Sequence, residues 1–214
     1  MKLSDIVQLQ AMGYSEDIDP KHLKGMKEEP SMLTDFEWRQ FMGQLPNSND
    51  SSKTKMELHQ LAKLPMDKSF VEEMDDVARV FKEYCDGVDI AFPKGLIDTL
   101  INDSRIFILR LKYLYNRPRP KQLAKHPLVN VPMKDTELDS MKTPSYPSGH
   151  STQGFLIGRV LSDMYPDHQY NLMDLAKDIS YSRNVARAHY PSDSRFGELL
   201  GDEMFKYLKK MGRV

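Results

Sequence analysis

Through most of the chain after residue 68, apolar residues recur at steps of three and four. In SFVEEMDDVARVFKEYC, the residues Phe70, Met74, Val77, Phe81 and Tyr84 fall on one helical face. Ser69 with Glu72 three residues later has the pattern of a capping box and predicts the start of that helix. A second helix is predicted from Lys94 to Asn116 on Leu96, Leu100, Phe107 and Leu111, ending against Pro118. A third follows Ser148 through Phe155, Leu156, Val160 and Leu161 and stops before Pro166. A fourth carries Leu172, Leu175 and Ile179, and a fifth carries Phe196, Leu199, Leu200, Met204, Phe205 and Leu208. No stretch sustains the period-two alternation of a half-buried strand, so the pattern predicts an all-α fold, a single-domain helical bundle. LPNSNDSSK, residues 45–53, clusters Pro, Asn, Ser and Asp and reads as a loop. It divides a polar N-terminal arm, 1–50, expected to pack on the core, from a helical domain, 51–214. The arm has helical character around Phe36, Trp38 and Phe41.

Composition narrows the classes of function. The chain of 214 residues has 30 Lys and Arg against 31 Asp and Glu, a formal charge of −1. That balance supplies neither the basic stripe that binds a nucleic acid polymer nor a polybasic membrane signal. The hydrophobic fraction is 40% and no run approaches the roughly 20 apolar residues of a span. The longest candidate, GLIDTLINDSRIFILRL, is broken by Asp98, Asp103 and Arg105. The N-terminus reaches Asp5 without an apolar stretch, so a soluble, cytoplasmic chain without membrane insertion is expected, provided no signal precedes this numbering. Cys85 is the single cysteine; it forms no disulfide framework or zinc spacing and is expected to be an inert, buried thiol. The 14 methionines fall mostly near helical apolar positions and read as core filling. No HExxH or comparable ligand spacing is present, which disfavours a metal-dependent hydrolase. The acidic run Glu72-Glu73 and Asp75-Asp76, with Asp174 and Asp178, reads as solvated helix faces, and His22, His59, His126 and His168 as surface or structural residues.

Three short segments of the second half carry chemistry. In KYLYNRPRP, Lys112 is followed after six residues by Arg119-Pro120, and the prolines turn the chain so that Arg119 is aimed inward. Arg110 with Arg117-Pro118 has the same spacing and is the alternative register; solvated cations at a helix end are the blander one. In SYPSGHST, Ser148, Gly149 and His150 sit where a loop enters a helix whose first amides lack internal partners. Such amides hold anions, and Gly149 allows close approach; a simple Ser N-cap with an exposed histidine explains the segment equally well. In SRNVARAHYPSD, an Arg183 fork suits two phosphate oxygens, and Asp193 suits the Nδ1–H of His189, with Pro191 implying a turn that closes the pair.

Together, Lys-x6-Arg-Pro, Pro-Ser-Gly-His and Ser-Arg-x5-His-x3-Asp, in that order, resemble the three-part signature of the type 2 phosphatidic acid phosphatase superfamily. That superfamily includes soluble class A nonspecific acid phosphatases and vanadium-dependent haloperoxidases, and SYPSGHS looks especially like the former. The resemblance covers about residues 105 to 205. It implies an active site between core helices, in which Lys112, Arg119, Arg183, Ser148 and the Gly149 amide hold the phosphate oxygens. It makes His189 the nucleophile that forms a phosphohistidine, Asp193 its orienting partner, and His150 the acid for the leaving oxygen. Ser194 stands where many members have an aliphatic residue. The expected activity is hydrolysis of small-molecule phosphate monoesters by an acid phosphatase-like phosphoric monoester hydrolase. No metal or other cofactor is expected, and vanadate is expected to inhibit. The alternatives are a vanadate-dependent haloperoxidase, in which vanadate is the cofactor, and a phosphatase for lipid or pyrophosphate substrates. Soluble relatives often self-associate, so a homo-oligomer is a further expectation. Specificity is expected from a rim between Gln122 and Thr143 together with parts of the arm.

Overall fold

The computed structural model describes residues 2–133, 138 and 141–214. It is helical throughout its regular parts: α1 Leu3–Ala11, α2 Pro20–Gly25, α3 Ser52–Lys63, α4 Lys68–Glu73, α5 Val77–Gly87, α6 Lys94–Tyr115, α7 Pro120–Ala124, α8 Gly149–Met164, α9 Gln169–Val185 and α10 Pro191–Lys210. Short 3₁₀ turns span Trp38–Phe41 and Pro166–His168. No strand occurs among the described residues.

The helix expected across residues 69–85 is instead two. Its first part begins one residue earlier, capped by Asp67, whose carboxylate accepts the Phe70 amide, rather than by Ser69. The second part is capped by Asp76, which accepts the Arg79 amide at 3.0 Å. Aspartate competes well for amides at a helix start, so a second cap signal inside an amphipathic run divides it. The break leaves Asp75 on a corner rather than on a solvated helix face. Helices α1 and α2 lie in the arm and, at nine and six residues, are too short for apolar periodicity to mark them.

The core follows the predicted faces. Leu100, Phe107 and Leu111 of α6 meet Leu156 and Val160 of α8, and Phe196, Leu200, Met204 and Leu208 of α10. Leu33, Phe36 and Phe41 are buried in the same cluster. Asp103 of α6 ties that segment down by accepting the amides of Ser31, Met32 and Leu33 at 2.6–3.0 Å. A second cluster joins Phe81, Cys85, Ile97, Ile157, Leu161, Leu172 and Ile179, so Cys85 is the buried free thiol its surroundings predict.

Helix α8 is central, with α9 and α10 packed against it. The close approach of α10 depends on Gly197 and Gly201, one helical turn apart. A Cβ at Gly197 would lie 2.5 Å from the Ser148 carbonyl oxygen, and one at Gly201 would lie 2.4 Å from that of Thr152. Because the obstacles are backbone atoms, these two positions set how near the start of α10 lies to the start of α8.

Candidate active site

The third motif is assembled by the way α9 ends. The Arg187 amide bonds the Asn184 carbonyl at 2.9 Å and the Ala188 amide bonds the Arg183 carbonyl at 3.0 Å, with Arg187 left-handed at φ 56°. This is the Schellman closure, and it folds the chain back over the last turn of α9. His189 therefore returns beside Arg183 despite five intervening residues. Pro191 then opens α10, where its missing N–H is no loss, and Asp193 occupies the third helical position. There its Oδ2 accepts the Tyr190 amide at 3.0 Å and lies 3.4 Å from His189 Nδ1. Pro191 thus starts the helix that presents Asp193 to His189.

The second motif meets the third at the starts of two helices. Ser148 caps α8, its hydroxyl accepting from the Ser151 amide at 3.3 Å and the Ser151 hydroxyl at 2.8 Å. The Ser148 amide donates to the Asp193 carbonyl at 3.1 Å, so the first turns of α8 and α10 are stitched together. Gly149 and His150 are the first two residues of α8.

The first motif places three buried cations at the end of α6 and in the turn that follows it, Lys112, Arg117 and Arg119. Lys112 Nζ donates to the Pro144 carbonyl at 2.6 Å, and Arg119 Nε to the Thr143 carbonyl at 2.7 Å. Arg119 Nη1 also donates to the Ala188 carbonyl at 2.7 Å and lies 3.0 Å from His189 Nε2. Arg110 instead bonds the Met26 carbonyl, so the Lys112/Arg119 register is the one beside the histidines. Arg117 turns the other way. It pairs with Asp193, bonds Ser192 Oγ at 2.9 Å, reaches Glu57 of α3 at 3.5 Å, and lies over the Tyr190 ring at 3.8 Å from its centroid.

These contacts fix the state of His189. A guanidinium only donates, so Nε2 is the acceptor and Nδ1 carries the proton toward Asp193. Burial, and next the positive charge of Arg119, push its pKa well below the ordinary 6.5, so the ring is neutral. Burial opposes ionisation of Asp193, but Arg117, His189 and the Ser145 hydroxyl outweigh it and hold the carboxyl below its usual range. Burial lowers Lys112 well below its usual value, with Arg119 adding to the effect, and pushes Arg119 down to about 10. Lys112 makes no ion pair among the described residues.

A pocket of about 180 Å³ opens between α6 and α8, lined by Arg105, Ile108, Leu109, Lys112, Gly149, His150, Gln153 and His189. Lys112, Gly149, His150 and His189 therefore share one wall system, Arg119 reaches it through His189, and Ser148 and Asp193 support it from behind. Arg183 is directed to Asp75 and to the Val71 carbonyl at 3.1 Å. A larger cleft of about 460 Å³, bounded by Leu45, Lys53, Met56, Tyr146 and Arg195 among others, contains neither histidine. The pocket walls among the described residues come from α6, α8 and His189 rather than from the Gln122–Thr143 rim. Residues 134–137 and 139–140 of that rim lie outside the described residues.

Asp75 is the largest departure from the sequence reading. Its Oδ1 pairs with Arg183 Nη1 and lies 3.4 Å from His150 Nε2, while its carbonyl oxygen is 2.9 Å from the same nitrogen. Hydrogen bonding to His150, then the Arg183 charge, outweigh burial and bring its pKa to about 2. Burial lowers the His150 pKa, against the raising effect of Asp75. Glu57 is a second residue that no motif marks: buried on α3, it accepts the Ser192 amide at 2.7 Å and the Ser192 hydroxyl at 2.9 Å. Ser194, polar where many members are aliphatic, is buried and bonded by Asn184 Nδ2 at 3.1 Å. Two of the other histidines have structural partners: His22 bonds Tyr113 Oη at 2.7 Å and His168 bonds Tyr84 Oη at 2.9 Å. Among the described residues no group of three or more His, Cys, Asp or Glu is arranged to hold a metal ion, and no helix is long and apolar enough to cross a membrane.

A helical bundle that gathers two histidines, an aspartate and several buried cations around the start of one helix defines a class of anion-handling fold. Residues 97–208, more than half of the chain, match the PAP2 superfamily, and the chain belongs to that superfamily. An acid phosphatase of Zymomonas mobilis is 35% identical over 91 residues, which is 42% of this chain and 33% of that protein. A non-specific acid phosphatase of Salmonella typhimurium is 33% identical over 98 residues, 46% of this chain and 38% of that protein. The matched stretch thus spans well under half of either relative. The crystal structure of the first bacterial vanadium-dependent iodoperoxidase aligns with 92% of this chain and 50% of its own, a remote likeness at a TM-score of 0.47 and 17% identity.

Proposed function

We propose that this chain hydrolyses phosphate monoesters of small soluble molecules, without a metal, through a phosphohistidine at His189. The observation that carries this reading is the state of His189: neutral, Nδ1–H toward Asp193, and Nε2 lone pair beside Arg119 at the pocket that His150 also lines. In the first step Nε2 attacks phosphorus, the ester P–O bond breaks, and the leaving oxygen takes the Nε2 proton of the His150 imidazolium. In the second, water gives a proton to His150 and attacks phosphorus, the P–N bond breaks, and phosphate leaves. Lys112, Arg119, Arg183, Ser148 and the Gly149 amide bind the nonbridging oxygens, whose spread charge is what a phosphoryl-transfer site must stabilise. Asp193 keeps the Nδ1–H tautomer and balances the charge of the phosphorylated ring. Because His150 Nε2 faces the Asp75 carbonyl, that contact yields when a leaving oxygen enters. The reading includes no resident cofactor, vanadate as an inhibitor, and a cytoplasmic substrate.

The test is turnover of p-nitrophenyl phosphate in the presence of EDTA, with acid-quench trapping of ³²P-labelled protein. Turnover that resists EDTA, is blocked by vanadate, and passes through acid-labile label lost in His189→Ala is expected. Label that persists in that variant, or activity that disappears with EDTA, overturns the corresponding part.

A further inference from the structure

The pocket has a second cation that phosphoryl transfer does not use. Arg105, Ile108, Leu109 and Lys112 stand at steps of three, four and seven on α6, so they form one face of the helix. Seven residues are two turns, about 10 Å along the axis. Buried Lys112 ends this face, sharing the pocket with His189, and exposed Arg105 stands at its other end, with two apolar side chains between them. Gln153 stands one turn beyond His150 on α8, on the same side of the pocket as the proposed proton donor.

Arg105 is exposed and makes no hydrogen bond or ion pair among the described residues, and its guanidinium lies against Gly25 of α2. No carboxylate is among the described residues that line the pocket. The positive field extends to His22 of α2, whose pKa is lowered by burial and then, against Asp19, by the charges of Arg105 and Lys112. The exposed Arg195 and Arg79, by contrast, each have a carboxylate partner, Glu57 and Glu83.

We propose that this face selects phosphate esters whose leaving group carries a second anionic group, which Arg105 binds while the reacting phosphate lies at Lys112 and His189. The proposal rests on the phosphate site described above and adds the class of leaving group. Ile108 and Leu109 accommodate the short carbon skeleton between the two anions, and a monoanionic ester of the same size gains nothing from Arg105.

The experiment compares two phosphonates that cannot be hydrolysed and that differ chiefly in one charge, 4-phosphonobutyrate and butylphosphonate. Their dissociation constants are measured by calorimetry on the wild type, Arg105→Gln and Arg105→Lys. The wild type is expected to bind 4-phosphonobutyrate about fivefold more tightly or better, the effect of one partly solvated ion pair. Arg105→Gln brings the ratio close to one while leaving butylphosphonate binding within about twofold, Arg105→Lys keeps part of the ratio, and added salt reduces it in the wild type. A ratio near one in the wild type, or the same ratio in Arg105→Gln, overturns the subsite alone, since butylphosphonate still reports the phosphate site. If neither phosphonate binds the wild type, the phosphate-site reading fails and the subsite falls with it.

Discussion

Replacing Arg117 by glutamine removes a buried cation from between two buried carboxylates. Asp193 is fully enclosed and Glu57 is almost so; both pair with this guanidinium, and Glu57 also pairs with the exposed Arg195. Breaking a buried pair by deleting one partner costs about 3–5 kcal/mol, because the remaining charge has lost its solvent as well as its counter-ion. Asp193 keeps the Tyr190 amide and the Ser145 hydroxyl, and Glu57 keeps Ser192 and Arg195, which favours the lower end, about 3 kcal/mol. For a chain of this size that corresponds to a drop in Tm of about 6–12 °C. The pH dependence has a definite sign. In the wild type the Asp193 carboxyl titrates below its ordinary value of 3.8, so its stabilising effect is complete above that value and is lost as pH falls through the depressed one. In Arg117→Gln the carboxyl is buried without its main counter-ion and takes up a proton more readily. The gap between the proteins is therefore widest near neutrality and narrows as the pH falls toward about 4. Urea unfolding at about pH 7 and about pH 4.5 measures both effects. An Arg117→Gln protein within about 1 kcal/mol of wild type at neutral pH refutes the reasoning.

Asp75→Asn keeps the shape of a side chain that binds both Arg183 and His150 but removes its charge. Inorganic phosphate is expected to inhibit it at a concentration about threefold to tenfold lower, since Arg183 no longer has an anionic partner, and weaker inhibition would show that Asp75 does not compete with phosphate. Gly197→Ala forces a Cβ against the Ser148 carbonyl; a loss of about 2–4 kcal/mol together with a fall in kcat is expected, and a fully active, equally stable variant refutes the packing argument. The pH profile of kcat/KM needs neutral His189 and protonated His150, so His189 sets the acid limb and His150 the basic limb. Burial lowers both, His189 further, which puts the optimum on the acid side of 6.5; an optimum above about pH 7 would refute the assignment.

The long helices and the three motifs were legible because each rests on local pattern. Apolar faces mark α6, α8, α9 and α10 to within a few residues, and the order of the motifs points to Lys112, His150, His189 and Asp193. Local pattern also has a clear limit. Asp75-Asp76 suits a solvated helix face as well as a cap, and only the position of Arg183, far along the chain, decides between them. Spacing likewise leaves the register of the RPRP segment open. The fold separates its arginines by sending Arg119 to His189 and Arg117 to Asp193. Glu57 carried no signal at all, because its partners lie on α10 and beyond α6 and no periodicity records a pairing across that distance.

The carboxylates that balance Arg117 and Arg183 have a consequence for portability. The stretch that matches the superfamily begins at residue 97, whereas Glu57 and Asp75 precede it. Grafting that stretch alone onto another scaffold would carry over both histidines and every motif cation, yet strip Arg183 of its anion and Arg117 of one of its two. The motifs are contiguous units of sequence, but the charge balance that keeps them in place is a property of a longer piece of chain.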